Sequence, residues 1–388
     1  MNKLDELIQQ LCPDGVEYKL LGQVCKLSRG KVYSKEYLQN NTGEYPVYSS
    51  QTANNGELGK INTYDCEGDF LTWTTDGAYA GTVFHRKGKF SITNVCGLIS
   101  VCNPLLNIRF LYYWLTITAK AYVYQGMGNP KLMTNQIEVI PIPFPPLPVQ
   151  EEVVRILDTF TESTNNLKEQ IQTRRKQYEF YRNQLLDLEG KDVTDIVQIG
   201  DVCQISKGNG VQKADFVDCG VGCIHYGQIY THYGAYTYST NKFVSEEVFE
   251  KARKASKGDI IMTDTSENVE DICKCVAYLG NEDIAISNHT FIIKHKQNPK
   301  YLSFSTLTNS FAYQKRKYVV GAKVSCIKQE HLAKIRIYLP SLYKQNEIVS
   351  ILDQFEASIA NLEAQLKERE KQYEYYRNKL LDFKKKED

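Results

Sequence analysis

Two stretches of this chain place a side chain of the same face at steps of four and three, unbroken, over five heptads. The first runs Val153, Leu157, Phe160, Thr164, Leu167, Ile171, Arg174, Tyr178, Tyr181, Leu185 and Leu188; the second runs Ile348, Leu352, Phe355, Ile359, Leu362, Leu366, Arg369, Tyr373, Tyr376, Leu380 and Phe383. A mostly apolar a/d seam flanked by Glu, Lys, Gln, Asn and Arg is the pattern of a coiled coil. It predicts two helices of about 40 residues, roughly 60 Å each. A strict 3.5-residue period suits a narrow helix–helix seam better than a broad globular face, so the two helices are expected to pack on each other. A parallel pair would satisfy the seam as well, but the long stretch between the helices makes an antiparallel return easy. Arg174 and Arg369 occupy the same seam position, where an arginine costs stability unless it pairs or reaches solvent. Register selection or a partner contact would give it a function; a solvent-reached seam is the plainer reading.

Elsewhere the period changes. Residues 18–145 and 195–340 are rich in Tyr, Val, Ile and Thr, broken by Gly and Asn. Short apolar runs at 89–92, 96–101, 259–262 and 290–293 read as strands. Helical stretches follow at 110–115 and 302–307, and apolar runs ending in Pro145 and Pro340 lead into the long helices. A proline ends the strand and lets the helix begin. The expected class is α+β: two pseudo-symmetric β-rich domains separated by two long helices forming an antiparallel coiled coil. The segments are 1–145, a first domain with a short N-terminal helix; 146–190, the first long helix; 191–340, the second domain; and 341–388, the second long helix.

The halves repeat. Gln177–Asp187 (QYEFYRNQLLD) returns as Gln372–Asp382 (QYEYYRNKLLD), 195 residues later. The globular segments match only weakly, at 21–30 with 199–208 and at 67–71 with 257–261. A long internal repeat means two copies of one structural unit. Here the helical frame is nearly identical and the globular content has diverged.

Composition narrows the class. Apolar content of 42% and charged content of 24% are those of ordinary globular protein. No apolar run reaches membrane-spanning length, and the polar, acidic N-terminus does not read as a signal peptide. The eleven cysteines show no disulfide or zinc framework and read as reduced thiols in a cytosolic protein. The net charge of +1 divides into about +7 on the two β-rich segments and about −6 on the rest, so a polyanion would prefer the β-rich segments.

The order globular–helix–globular–helix resembles the specificity subunit of type I restriction-modification systems, over essentially the whole chain. The strings that carry the likeness are Leu11–Tyr18 with Leu21-Gly22, the spacings Pro145 to Gln150 and Pro340 to Gln345, and the glycine-flanked Thr75–Gly81. The resemblance implies that each globular segment is a target recognition domain reading one half of a split double-stranded DNA site. It implies that the helices act as spacer and dock two methyltransferase (modification) subunits, to which restriction subunits add. S-adenosylmethionine, ATP and magnesium would belong to those partners, with no cofactor or metal in this chain. The location implied is the cytoplasm, without a membrane. The residues agree: there is no GxxxxGK[ST] loop and no Asn/Asp-Pro-Pro-aromatic string. No catalytic residues are assigned.

Base readout needs forked or amide side chains on loops; phosphate contact needs Lys, Arg and small polar groups. In the first domain the candidates are Arg29 and Lys31 after a strand; Ser49, Ser50, Gln51, Asn54 and Asn55 in a polar loop; Thr74, Thr75, Asp76 and Tyr79 after another strand; and Asn129 and Lys131 beside Gly126-Met127-Gly128. In the second they are Lys207, Asn209 and Lys213; His225, Tyr226 and Gln228; Thr263, Thr265 and Ser266; and Lys315, Arg316 and Lys323 on a basic stretch. Any one of these loops is also an ordinary solvated turn, since Gly, Asn, Asp and Ser favour turns for backbone reasons. Two other classes of function fit the chain: a coiled-coil scaffold or regulatory protein whose domains bind proteins, and a nuclease with degenerate motifs.

Overall fold

The computed structural model describes residues 3–126, 128–321 and 324–387. The heptad stretches form the helices Leu147–Leu186 and Leu342–Leu380. Both start on the same device. The fully buried Gln150 side chain donates to the carbonyls of Pro145 (2.7 Å) and Leu105 (2.9 Å) and accepts from the Asn107 amide (2.8 Å). Gln345, also fully buried, donates to Pro340 (2.8 Å) and Gln297 (2.9 Å) and accepts from Asn298 (3.0 Å). A glutamine five residues past the proline therefore ties each helix start to the domain before it, and every polar atom it buries is satisfied.

The chain forms two compact units, Met1–Lys168 with Gln365–Asp388, and Glu169–Ala364. Each unit holds a β-rich domain and one end of each long helix, and inside each the helices run antiparallel. In the first, Phe160 stacks on Tyr376 with ring centroids 5.3 Å apart, and Lys168 pairs with Glu370 at 3.0 Å. In the second, Tyr181 stacks on Phe355 at 5.5 Å, and Arg175 pairs with Glu363 at 2.5 Å. The ring contacts are the same with the helices' roles exchanged; the ion pairs fall at equivalent positions with their charges reversed, the base lying on the first long helix in both. The seam arginines follow suit: Arg369 lies over the Phe160 ring and Arg174 over Phe355, each at 5.8 Å. Each guanidinium thus has an aromatic face to rest on, a contact that favours one register.

The seam is shorter than the heptads suggest. The helices end at Leu186 and Leu380, so Leu188 and Phe383 lie beyond them. Phe383 belongs instead to the first domain's core, where its ring meets Phe110 edge-on at 6.0 Å. The strand-like pairing of Val16 with Lys385 carries the hydrogen bonds Val16 N to Lys384 O and Lys386 N to Val16 O, both 2.9 Å.

The first unit's sheet has six strands in the order Cys25–Arg29, Cys96–Val101, Cys66–Thr74, Val83–Ile92, Thr42–Tyr48, Glu57–Ile61. It coils until the end of the fourth strand returns to the first, pairing Thr93 with Lys31. Gly30 makes this possible, because a Cβ there would strike the Ile92 carbonyl. The second unit has five strands in the order Cys203–Lys207, Thr290–His295, Ile260–Thr263, Cys275–Tyr278, Tyr236–Thr237. Gly208, meeting the Ser287 carbonyl, takes the place of Gly30. A separate four-stranded sheet, Lys242–Val244, Val221–Ile224, Ile284–Ile286, Arg253–Ala255, is added to this unit.

A helix on each main sheet, Ile108–Thr118 and Pro299–Ser305, ties it to the long helix beside it. Arg109 pairs with Asp158 at 2.6 Å, and Lys300 with Asp353 at 2.9 Å. Asp158 and Asp353 come from the repeated Ile-Leu-Asp string, so one local motif anchors both domains. All eleven cysteines are unpaired.

Candidate nucleic-acid interface

In the first unit three segments distant in sequence meet at one end of the coiled sheet. Arg29 closes its strand and points its guanidinium at the Thr75 hydroxyl (2.5 Å) and the Met133 sulfur (3.6 Å). The loop after Thr74 is joined to the segment before Thr134: Asp76 bridges Lys131, Gly77 N donates to Pro130 O (3.0 Å), and Leu132 N donates to Thr75 O (2.9 Å). Arg29 and Lys131 are exposed and have no acidic partner among the described residues. Their charge therefore remains available to a polyanion. Tyr79 is exposed beside them, as is Asn129. Lys31 is exposed but paired with Asp65 at 2.7 Å, and that carboxylate, which also accepts from Tyr33 at 2.5 Å, raises the Lys31 pKa above its ordinary value.

Several predicted contacts shape loops instead. Thr74 and Thr75 are buried. Thr74 donates to the Tyr79 carbonyl (2.5 Å), and Thr75 donates to Val95 (2.9 Å) while accepting from Arg29. Ser49 is buried and accepts from the Gln51 amide. Gln51 caps the Glu57 carbonyl, and the Asn55 carbonyl accepts from Arg86 at 2.7 Å. The Arg86 guanidinium, sandwiched between Tyr48 (3.6 Å) and Phe84 (4.4 Å), was not flagged by sequence and holds this whole loop. Asn54 and Asn55 adopt left-handed backbone, φ 48° and 53°, which asparagine tolerates better than other residues. Their side chains are exposed, and Ser50 is half-buried.

The second unit repeats the frame with other side chains. Lys207 stands where Arg29 does and lies 3.5 Å from Asp264, the counterpart of Thr75. Ile327 N donates to Asp264 O at 3.0 Å, as Leu132 does to Thr75. Thr265 and Ser266 pair with Cys326 and Ser325. A cleft of about 610 Å³ opens next to this frame and brings together Lys213, His225, Tyr226, Gln228, Thr265 and Ser266. Exposed Lys213 and half-buried Tyr226 line it, and Asn209 is exposed.

Other polar side chains of this unit are taken up within it. His225 caps the helix Tyr226–Thr231, its Nδ1 accepting from Gly227 N at 3.2 Å, and Gln228 accepts from His225 N at 2.7 Å and bonds Asn241. Burial, followed by the nearby charges of Lys213 and His289, lowers the His225 pKa. Thr263 is buried and donates to Lys274 O, and Ser266 is buried and accepts from Asn268 N.

Lys315 requires the largest correction. It is buried, and its ammonium donates to the carbonyls of Glu270 (2.6 Å) and Ile272 (2.7 Å), so it holds a loop and does not face outward. Burial lowers its pKa. Arg316 is exposed, 3.6 Å from Glu270. Lys323, with Ala322, lies outside the described residues, as does Met127 of the first domain's glycine segment.

A larger hollow of about 1000 Å³ in the second unit is lined by Glu246, Glu282 and Asp283 against Lys254. Its acid-rich wall would repel a polyanion, so size does not identify the interface. Among the described residues no three His, Cys, Asp or Glu side chains gather as a metal would require, and no helix is long and apolar enough to cross a membrane.

Each unit thus joins a β-rich domain with cation-bearing loops to an antiparallel pair of helix ends. The chain belongs to the type I restriction modification DNA specificity family, whose profile matches residues 13–174 and again 191–371. A putative type I specificity subunit of Mycoplasma pneumoniae is 32% identical over 93% of this chain and 96% of its own length. The N-terminal part of another from that organism is 44% identical over 42% of this chain and 92% of its own. Among solved structures, the S subunit of a type I restriction-modification system from M. genitalium superposes with a TM-score of 0.55, at 14% identity over 94% of this chain and 96% of that one. A chain from a structural study of type I complex assembly and conformational transition gives 0.57 at 16% identity, over 96% and 97%. These two likenesses establish the fold; the family membership rests on the sequence matches. The chain's role is accordingly that of a DNA specificity subunit.

Proposed function

We propose that each β-rich domain reads one half of a bipartite DNA site, and that the paired helices set the unread spacer and dock two copies of a methyltransferase subunit. Restriction subunits would join that core. The chain would do no chemistry itself; the methyl donor, nucleotide and magnesium would be held by the partners, in the cytoplasm where the DNA lies. The observation that carries this reading is the contrast inside one chain. Helix contacts recur in both units with the roles of the helices exchanged, as in Phe160–Tyr376 and Tyr181–Phe355, while the loops on the same backbone frame carry different side chains. Equivalent helix surfaces suit two copies of one partner. Different loops suit two different DNA words.

Outward-facing Phe180 and Tyr375, at equivalent positions of the repeat and each about 60% exposed (62% and 61%), support a protein surface there, since aromatic side chains are favoured at interfaces. The DNA contacts would fall to the side chains left available: Arg29, Lys31, Ser50, Asn54, Asn55, Tyr79, Asn129 and Lys131 in the first domain, and Lys207, Asn209, Lys213, Tyr226 and Arg316 in the second. Methylome sequencing, with the partner methyltransferase present and this gene intact or removed, tests the reading. A bipartite motif that vanishes with the gene is expected. A motif that persists, or one without an unread spacer, overturns it.

A further inference from the structure

The second domain contains a built polar cluster that the candidate residues above include only in part. His289 lies in the turn before the strand Thr290–His295, with φ of 62°. Histidine in that region is strained, and strain of this kind gathers at functional sites. The backbone there is tied down, His289 O accepting from Asp264 N at 3.1 Å. The ring packs edge-on against Tyr226 of the cleft, with centroids 5.4 Å apart. Its Nδ1 lies 3.4 Å from the Thr265 hydroxyl oxygen and 3.9 Å from Asp264 Oδ1. The other carboxylate oxygen of Asp264 faces Lys207 Nζ at 3.5 Å. Asp264 is buried, its side chain 9% exposed, whereas Lys207 and His289 reach solvent at 68% and 57%.

Thr265 Oγ1 donates its proton to Asp264 Oδ1 at 2.8 Å. Its oxygen then accepts from the ring, and the tautomer that suits this contact has its proton on Nδ1, which leaves Nε2 as the acceptor. Lys207 offers donors and no acceptor. The cluster therefore presents one donor and one acceptor, held from behind by a single carboxylate. In the major groove adenine displays an acceptor, N7, next to a donor, N6–H₂, whereas guanine displays two acceptors.

We propose that Lys207 and His289, positioned by Asp264 and Thr265, select an adenine in the half-site read by the second domain. This rests on the DNA-reading role above. The equivalent place in the first domain has Arg29 for Lys207, Thr75 for Asp264 and Val95 for His289, the Val95 carbonyl accepting from Thr75 N at 3.3 Å as His289 O does from Asp264 N; it offers a donor without the side-chain acceptor, so the two domains would differ in base preference at this point.

The test uses the full chain, co-expressed with its methyltransferase partner, and a randomised double-stranded DNA library sequenced after binding. His289→Gly removes the acceptor while easing the left-handed backbone, so the fold is kept; Lys207→Met removes the donor on an exposed side chain. Each is expected to lower adenine discrimination at one base pair of one half-site about ten- to a hundredfold, leaving the other half-site unchanged. Asp264→Asn is expected to weaken the same position, and to add little in the Lys207→Met, His289→Gly background. Uniformly weaker binding to all sequences, or unchanged preference at full binding, overturns the proposal. If the wild-type complex selects no split site at all, it is the DNA-reading role that fails, and this assignment fails with it.

Discussion

Phe383 lies beyond the end of the second long helix, yet its ring sits in the core of the first domain. Replacing it with alanine leaves the seam, the long helices and the DNA loops untouched. The side chain is 8% exposed and meets Phe110 edge-on. Phe→Ala in a core costs about 3–5 kcal/mol, and the residual exposure of this ring puts the expected loss near the lower end, about 3 kcal/mol. For a unit of this size each kcal/mol moves the melting temperature by about 2–4 °C, so the first unit should melt roughly 6–12 °C lower. Differential scanning calorimetry gives the shift, and hydrogen exchange read by mass spectrometry assigns it. Amides of residues 18–143 should lose protection, and those of 196–338 should keep theirs. Equal loss in both halves, or none, would refute the claim that this residue completes the first domain alone.

Other outcomes follow from the same hydrogen-bond accounting. Lys315→Ala should cost about 1–3 kcal/mol of stability by stripping two buried carbonyls of their donor, with the salt dependence of DNA binding unchanged; a shallower salt slope would mean that Lys315 meets phosphate after all. Gln150→Leu should be more damaging than its size change suggests, because it leaves one buried amide and two carbonyls unpaired, and urea titration should register a loss of at least about 2 kcal/mol. For His225 the folded pKa lies below the ordinary 6.5, so the unfolded chain takes up the proton first. Its contribution is whole above pH 6.5 and is lost as pH falls through the folded value. His225→Asn, which preserves the helix cap, should flatten that part of the stability curve measured by thermal melts.

Much of the architecture was legible in the residues. The heptads gave the two helices because an a/d seam is a local pattern, readable without knowing what it packs against. The repeat displaced by 195 residues announced equivalent frames, and the short β-branched runs fell on real strands such as Cys96–Val101 and Thr290–His295. The loops chosen as DNA contacts do converge: Arg29 with Thr75 and Lys131, Lys213 with Tyr226 and Thr265. Within those loops, side chains of the same type differ in what they face. Thr74 and Thr263 looked like loop hydroxyls and are buried carbonyl caps, and His289, on the turn between two strands, carried no motif at all.

Local periodicity determined helix, strand and repeat, because each depends on neighbours a few positions away along the chain. Availability is another matter. A lysine's ammonium is free or spent according to carbonyls that lie 43 and 45 residues away, as at Lys315; a threonine points at solvent or at an arginine 46 residues back, as at Thr75. Those partners meet only when the sheet coils and the chain returns on itself, so the tertiary structure alone decided which polar side chains are left to meet DNA.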